Sequence, residues 1–305
     1  MTDVSVIIVS FNTKNLLEKC IDSVIKKTQD ISFEIIVIDN GSSDGSPQAV
    51  RKKNINNLTI IENRKNLGFA AGNNQGIKKS DGRHILLLNS DTEIKDNVIG
   101  EMVSWMDKNS KVGIATCALK NEDGTLQGSG GYFPNLLRVF AWMLFLEDIP
   151  LIDRLIKPYH PMHSASPIYK GSEFFKTSHQ QDWVTGAFFL IRKDVIEQIG
   201  YFDEDYFMYV EEVDFCFRAK TKGWQVYYLP DWSITHLGGA SGTSELPILS
   251  EFKSLKRFYK KFYPSWQFPF LRLLLAAGAL VRIPLFYILK GRERSAIYVK
   301  AFRET

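Results

Sequence analysis

The apolar run Ile85-Leu86-Leu87-Leu88 stops abruptly at Asn89-Ser90-Asp91-Thr92-Glu93. That pattern reads as a buried strand delivering Asn89 and Asp91 to its carboxyl end, where ligands sit in open α/β sheets. Strand side chains alternate, so Asn89 and Asp91 point the same way and could hold a hard cation jointly. The plainer reading is a surface turn after a core strand, since Asn, Ser and Asp are ordinary turn residues.

The same form recurs upstream. Val4-Ser5-Val6-Ile7-Ile8-Val9 runs into Ser10-Phe11-Asn12, and Leu16, Leu17, Cys20, Ile21, Val24 and Ile25 then keep helical spacing. Phe33-Glu34-Ile35-Ile36-Val37-Ile38 follows and ends in Asp39-Asn40-Gly41-Ser42-Ser43-Asp44-Gly45. Strand, helix, strand in this order is a βαβ unit, so the sheet starts parallel. A short strand at 58–61, a Gly- and Asn-rich helix entry at 66–74, a helix at 98–106 and a strand at 112–118 continue the rhythm. The expectation through residue 119 is α/β: a doubly wound, mostly parallel sheet flanked by helices.

From 121 the rhythm changes. Gly128-Ser129-Gly130-Gly131 reads as a flexible loop, 136–156 as a helical stretch, and 157–181 as loop. A strand at 183–191, a helix at 193–199 and a helix entered from 207 follow. The latter carries Glu211, Glu212 and Asp214 in its first turns, where the macrodipole favours acids.

The 305 residues, 45% apolar, suffice for one sizeable core plus an elaboration. A net charge of +4 is too small to argue for nucleic acid. Cys20, Cys117 and Cys216 stand far apart, as reduced structural thiols do, and the N-terminus shows no basic leader. Both features point to a cytoplasmic location. The apolar stretch 268–289 is interrupted by Arg272, Arg282 and Pro284 before the roughly 20 clean residues a membrane span needs, which favours an interfacial helix pair.

Four polar clusters, 10–12, 39–44, 66–74 and 89–91, fall at successive strand ends and so converge on one crevice. Asp39 is placed to accept hydrogen bonds from a base or ribose. The turn after Arg64, with Asn66, Gly68 and Asn73, offers N–H groups and a cationic rim to a diphosphate. Glu211, Glu212 and Asp214 could include a general base if the site is partly buried, or could be a solvated helix start. His236, beside flexible glycines, would add an imidazole to Asp91 and make a mixed site for Mg²⁺ or Mn²⁺.

Together these motifs resemble the family 2 inverting glycosyltransferases of GT-A fold, most closely the rhamnosyltransferase-like branch. The likeness rests on Val6 to Asn12, Val37 to Ser46, Asn66 to Asn74, Leu88-Asn89-Ser90-Asp91, Thr185-Gly186-Ala187, Glu211-Glu212-Val213-Asp214-Phe215 and His236. These run in the family's order over about 3–243. The resemblance implies a catalytic domain over 1–243, with a nucleotide-sugar-binding half at 1–119, an acceptor-binding half at 120–243 bearing an insertion at 121–181, and a C-terminal helical extension at 244–305. It implies donor contacts at Ser10, Asn12, Asp39, Asn40, Asp44, Asn66, Gly68, Asn73, Asn89, Ser90 and Asp91. Acceptor contacts are implied at Trp183, Thr185 and Gly186, metal ligation at Asp91 and His236, and a base at Glu212, with Glu211 and Asp214 as alternates. Two departures matter: Asn89 stands where the family's D-x-D has its first Asp, and the acidic pair is Glu-Glu rather than Glu-Asp.

The implied activity is transfer of a sugar from a nucleotide-diphosphate donor, dTDP-rhamnose or a UDP-sugar, to a glycan or lipid-linked glycan with inversion. The lost Asp keeps open a rival: a non-catalytic nucleotide-sugar-binding or assembly subunit. A nucleotidyltransferase is disfavoured, because Ser10-Phe11-Asn12-Thr13-Lys14 lacks a Gly-rich basic loop. The apolar stretches 136–156 and 268–289, the second accompanied by Lys and Arg, suit a peripheral site on the cytoplasmic face of an anionic membrane, or else a helical subdomain or oligomer contact.

Overall fold

The computed structural model describes residues 2–149, 152–161, 173–238 and 246–305. Strands β1 (Val4–Ser10), β2 (Phe33–Asp39), β3 (Leu58–Glu62) and β4 (His84–Asn89) pair in parallel in the order β3-β2-β1-β4. Their side chains alternate between two apolar layers. Val6, Ile8, Val37, Leu86 and Leu88 face one cluster, while Ile7, Ile36, Ile38, Ile85 and Leu87 face the other. Burial on both faces is why these strands read as continuous apolar runs.

The sheet continues through β5 (Thr92–Glu93), β6 (Val112–Lys120), β10 (Phe188–Arg192) and β11 (Gln225–His236), giving the order β3-β2-β1-β4-β10-β6-β11-β5. β10 runs antiparallel between β4 and β6, and β11 is parallel to β6. Helices α1 (Lys14–Lys27), α2 (Ser46–Lys52), α3 (Phe69–Lys79) and α4 (Val98–Lys108) alternate with the first strands. The three cysteines are free and buried.

The expected strand at 183–191 is two elements. β9 (Trp183–Val184) pairs with β7 (Gly130–Gly131), and a turn at 185–187 precedes β10. Gly186 makes that turn because the Phe69 ring sits where a side chain would go: an added Cβ would lie 2.5 Å from Cζ. Gly130 and Gly131 are likewise a buried strand rather than a flexible loop. Added Cβ atoms would meet the Trp183 and Tyr159 carbonyl oxygens at 2.2 and 2.1 Å.

The helical stretch at 136–156 is broken into α5 (Leu136–Met143), a 3₁₀ turn and α6 (Ile152–Leu155), with Phe145 at φ 58° ending the first helix. β8 (His179–Gln180) joins β11 at the other end of the insertion, and 162–172 of the expected loop lie outside the described residues.

After α7 (Lys193–Ile199) and α8 (Glu211–Thr221), the C-terminal region forms α9 (Leu246–Phe262), α10 (Gln267–Lys290) and α11 (Arg292–Arg303). One continuous helix therefore replaces the expected interfacial pair. Pro284 removes one helical hydrogen bond without ending the helix, and Arg282 is turned inward. Its guanidinium donates to the Trp142 carbonyl at 2.9 Å, to the Gly278 carbonyl at 3.2 Å and to the Met143 carbonyl.

Candidate active site

The carboxyl ends of β1, β2 and β4 form one rim. At the end of β2, Asp39 is 2% exposed, and its Oδ2 accepts the Gly41 and Ser42 amides at 3.2 and 2.9 Å. Its Oδ1 is buried with no partner. An unsatisfied buried acceptor costs about 1–3 kcal/mol, so this oxygen is suited to a ligand N–H or O–H.

Most other residues of the rim are spent on building it. The Asn12 amide donates to Ser42 Oγ at 2.9 Å, and Asn12 Oδ1 accepts the Ser43 amide at 2.8 Å, clamping two strand-end loops together. Asp44 accepts the Lys14 and Ser46 amides at 2.8 and 3.0 Å, fixing the starts of α1 and α2. Hydroxyls link Ser10 to Thr13 at 2.9 Å and Thr13 to Ser90 at 3.0 Å. Asn40 donates to the Gly68 carbonyl at 3.1 Å, Asn66 accepts the Gly68 amide at 2.9 Å, and Asn73 donates to the Phe69 carbonyl at 3.0 Å.

Asp91 and His236 meet because β5 runs antiparallel to the end of β11, with His236 opposite Thr92, and the Leu237 amide donates to the Asp91 carbonyl at 2.9 Å. His236 Nε2 stands 3.4 Å from Asp91 Oδ1 and 3.4 Å from Asn89 Nδ2. Its Nδ1 is 2.7 Å from Gln127 Oε1, an atom that can only accept. Nδ1 therefore donates to Gln127, and Nε2 is the nitrogen turned towards Asp91. Gln127 is held in turn through its amide, which donates to Asn121 Oδ1 at 2.6 Å and to the His236 carbonyl at 2.7 Å. A carboxylate beside an imidazole nitrogen, the ring oriented from behind, is a donor set that fits a divalent cation such as Mn²⁺. Among the described residues no third His, Cys, Asp or Glu joins them, so further ligands would be the Asn89 amide oxygen, water and substrate oxygens. Gln127 was not among the sequence candidates; it lies in the insertion, outside every motif.

On the opposite side, α8 starts directly after Tyr209 and Val210, both in the left-handed region at φ 67° and 71°. Glu211 is buried and Glu212 half-buried, and each keeps a buried Oε2 without a partner. Burial, reinforced by the charge of Glu251, pushes the Glu212 carboxyl up to about 7. Burial and then the Glu212 charge hold Glu211 well above the carboxylate range. Asp214 differs: fully buried, it accepts Arg218 Nε and Lys261 Nζ, both at 2.6 Å, and so is locked in ion pairs.

Trp183 packs 5.8 Å from Tyr159 and 5.3 Å from His160, whose Nε2 lies 2.6 Å from Glu251 Oε1. The Thr185 amide reaches the Ser129 carbonyl at 3.4 Å. The two sides touch where the Phe69 amide donates to the Phe207 carbonyl at 2.9 Å.

The family described as "Glycosyl transferase family 2" matches residues 5–200. An N-acetylglucosaminyl-diphospho-decaprenol L-rhamnosyltransferase of Mycobacterium tuberculosis (strain ATCC 25618 / H37Rv) is 25% identical over 248 residues, 77% of this chain and 76% of the relative. Rhamnosyltransferase WbbL of Escherichia coli (strain K12) is 23% identical over 240 residues, 76% of this chain and 83% of the relative. Among solved structures, the mannosyltransferase PcManGT of Pyrobaculum calidifontis, in complex with GDP-Man and Mn²⁺, superposes with TM-score 0.57 at 15% identity, covering 98% of this chain and 81% of that one. GalNAc-T7, with UDP, GalNAc and Mn²⁺, gives TM-score 0.63 at 16% identity over 91% of this chain, which spans about half (51%) of GalNAc-T7.

Proposed function

The chain belongs to glycosyl transferase family 2 and has the GT-A fold, and from that premise we propose that it moves a sugar from a nucleotide-diphosphate donor to a glycan or lipid-linked glycan acceptor with inversion. The product serves cell-surface polysaccharide synthesis, and dTDP-rhamnose is the favoured donor, with a UDP-sugar next; the two rhamnosyltransferase relatives support that choice. The observation that carries the reading is the approach of His236 Nε2 to Asp91, with the imidazole held from behind by Gln127.

In this reading Asp39 Oδ1 accepts an N–H or O–H of the nucleoside, and the loop at 66–69 lines the diphosphate. Asp91 and His236 would hold Mg²⁺ or Mn²⁺, which supplies positive charge to the leaving diphosphate. Trp183, Thr185 and Gly186 form the acceptor wall. Glu212 takes the acceptor hydroxyl proton as the oxygen attacks the anomeric carbon opposite the leaving group, through an oxocarbenium-like transition state. Asp214, paired with Arg218 and Lys261, is poorly suited to that role.

Nucleotide release from a panel of dTDP-, UDP- and GDP-sugars, with and without Mn²⁺ or Mg²⁺, tests this. Release from one donor, dependent on metal and lost in Asp91→Ala, is expected. Metal-assisted nucleotide binding with no release from any donor, even with membrane lipid extract added, would instead establish the non-catalytic subunit.

We also place the protein peripherally on the cytoplasmic face of a membrane. α10 is long and apolar enough, by length and composition, to cross a membrane, and only 28% of its most apolar window is buried. One face packs on α5 and carries Arg282 inward, which supports lying along a bilayer rather than through it.

A further inference from the structure

A cavity of about 960 Å³ lies between α9, the start of α10 and segment 203–208. α9 lays a basic stripe along it: Lys253, Lys256, Arg257, Lys260 and Lys261 recur at i, i+3, i+4, i+7 and i+8, and Arg272 of α10 adds a sixth cation. The opposite stripe of α9, with Phe252, Leu255, Phe258 and Tyr259, is buried in the core. Like charges three and four apart repel along a helix, so the stripe weakens α9 unless an anion offsets it.

The side-chain carboxylates lining the cavity do not supply that anion to most of the stripe. Asp203 accepts Arg257 at 3.1 Å and Lys261 at 2.8 Å, and Asp205 accepts Arg257. Among the described residues Lys253, Lys256, Lys260 and Arg272 have no carboxylate side chain in ion-pair range. Lys256 reaches the Glu304 carbonyl, Arg272 the Thr305 carbonyl, and Lys260 lies 4.8 Å over the Phe268 ring. Burial, with Arg272 and Lys260 opposing Glu304, lowers the Lys256 ammonium below its ordinary value, as crowded cations do.

The cavity is tied to the candidate catalytic side. Its wall at 203–208 runs directly into Tyr209, Val210 and the Glu211-Glu212 pair, and the Phe207 carbonyl anchors the donor loop at Phe69. Four cations with no side-chain carboxylate in ion-pair range match a diphosphate, a solvated basic face needs no cavity, and Phe207, Met208 and Phe268 give the cavity an apolar part.

We propose that this cavity binds a lipid diphosphate, the phosphate-bearing end of a lipid-linked acceptor, and so anchors the acceptor beside Glu212. The proposal rests on the transferase reading above. The test is calorimetric titration of the full chain with farnesyl diphosphate and with inorganic pyrophosphate, without divalent cation. Wild type is compared with Lys256→Gln/Lys260→Gln and with Lys79→Gln, an exposed control on α3.

Farnesyl diphosphate is expected to bind one to one, at least about tenfold tighter than pyrophosphate. The double variant should lose at least about tenfold in affinity while Lys79→Gln loses none, and dTDP with Mn²⁺ should bind the double variant as it binds wild type. Equal affinity for both ligands, lost in the double variant, overturns the lipid assignment in favour of free diphosphate. Absent binding, or binding indifferent to the double variant, overturns the site. Donor nucleotide release, read in parallel, keeps the two readings apart. Release without farnesyl diphosphate binding sinks the cavity alone, whereas binding without release from any donor, lipid extract added, sinks the transferase reading and overturns the acceptor role while the lipid-diphosphate site stands.

Discussion

At the scale of single residues, the site turns on which polar atoms are already occupied. Glu212 keeps a buried, unpartnered oxygen and titrates near 7, so kcat/KM should rise with pH to a plateau, with a midpoint near 7. Glu212→Gln should lower kcat about 10²–10⁴-fold and abolish that pH step while donor binding persists. Stability gives a second readout. The folded chain holds the Glu212 proton up to about 7 and the unfolded chain only to about 4.5, so folding stability falls as pH rises between them. Gln stays neutral, so the Tm of Glu212→Gln relative to wild type should climb across that window; a flat difference would remove the raised carboxyl. Gln127 acts through His236. Gln127→Ala frees the imidazole to change tautomer and should raise the Mn²⁺ needed for half-maximal dTDP binding roughly 10–100-fold, whereas Gln127→Glu keeps an acceptor on Nδ1 and should recover most of it. Asp39, Asp91 and His236 were legible because they sit at strand ends or beside a glycine cluster. Gln127 was not, because its role depends on a fold-brought contact with a residue far along the chain.

At the scale of elements, the legible pieces were those whose local pattern agrees with their burial. β1, β2, β4 and their helices announce themselves by continuous apolar runs and i, i+3, i+4 spacing. β11 does not: its pairing with β6 shifts register between Leu229 and Ser233, around Pro230, so no alternation survives to be read. The junction between donor loop and base loop was equally hidden. Gly68 has φ 86°, and an added Cβ would lie 2.3 Å from the Phe207 carbonyl oxygen, against backbone that cannot yield. Gly68→Ala should therefore cost about 2–4 kcal/mol in denaturant unfolding and weaken donor binding together with turnover, because one shift moves both loops. Arg282 joins two elements in the same sense. Arg282→Met keeps the apolar volume but removes the guanidinium from the Met143 carbonyl and leaves the Trp142 carbonyl only the Phe145 amide, at a cost of about 1–3 kcal/mol by the same measurement.

At the scale of the whole molecule, composition pointed to a C-terminal apolar segment but not to how it attaches. Phe252, Leu255 and Phe258 of α9 and Leu271 and Leu275 of α10 enter the same apolar cluster as Ile7 and Leu87 of the sheet, so the extension braces the catalytic face. What remains on α10 is an outward stripe opposite the buried one: Leu273, Leu280, Tyr287 and Ile288, the last 80% exposed. Burying each such side chain in a bilayer is worth about 1.5–3 kcal/mol, so a few of them, with Lys290 and Arg292 close by, suffice for reversible binding to an anionic surface. Wild type should float with phosphatidylglycerol vesicles at low salt and largely remain bound at high salt, since most of the energy is apolar. Leu273→Glu/Leu280→Glu/Ile288→Glu should stay at the bottom of the gradient with its nucleotide binding and fold intact, because those side chains touch neither the core nor the strand ends. If the triple variant floats like wild type, α10 does not face the membrane and its outer stripe belongs to a protein contact. A shift of the triple variant to smaller mass in sedimentation would then identify that contact as a second copy of the chain.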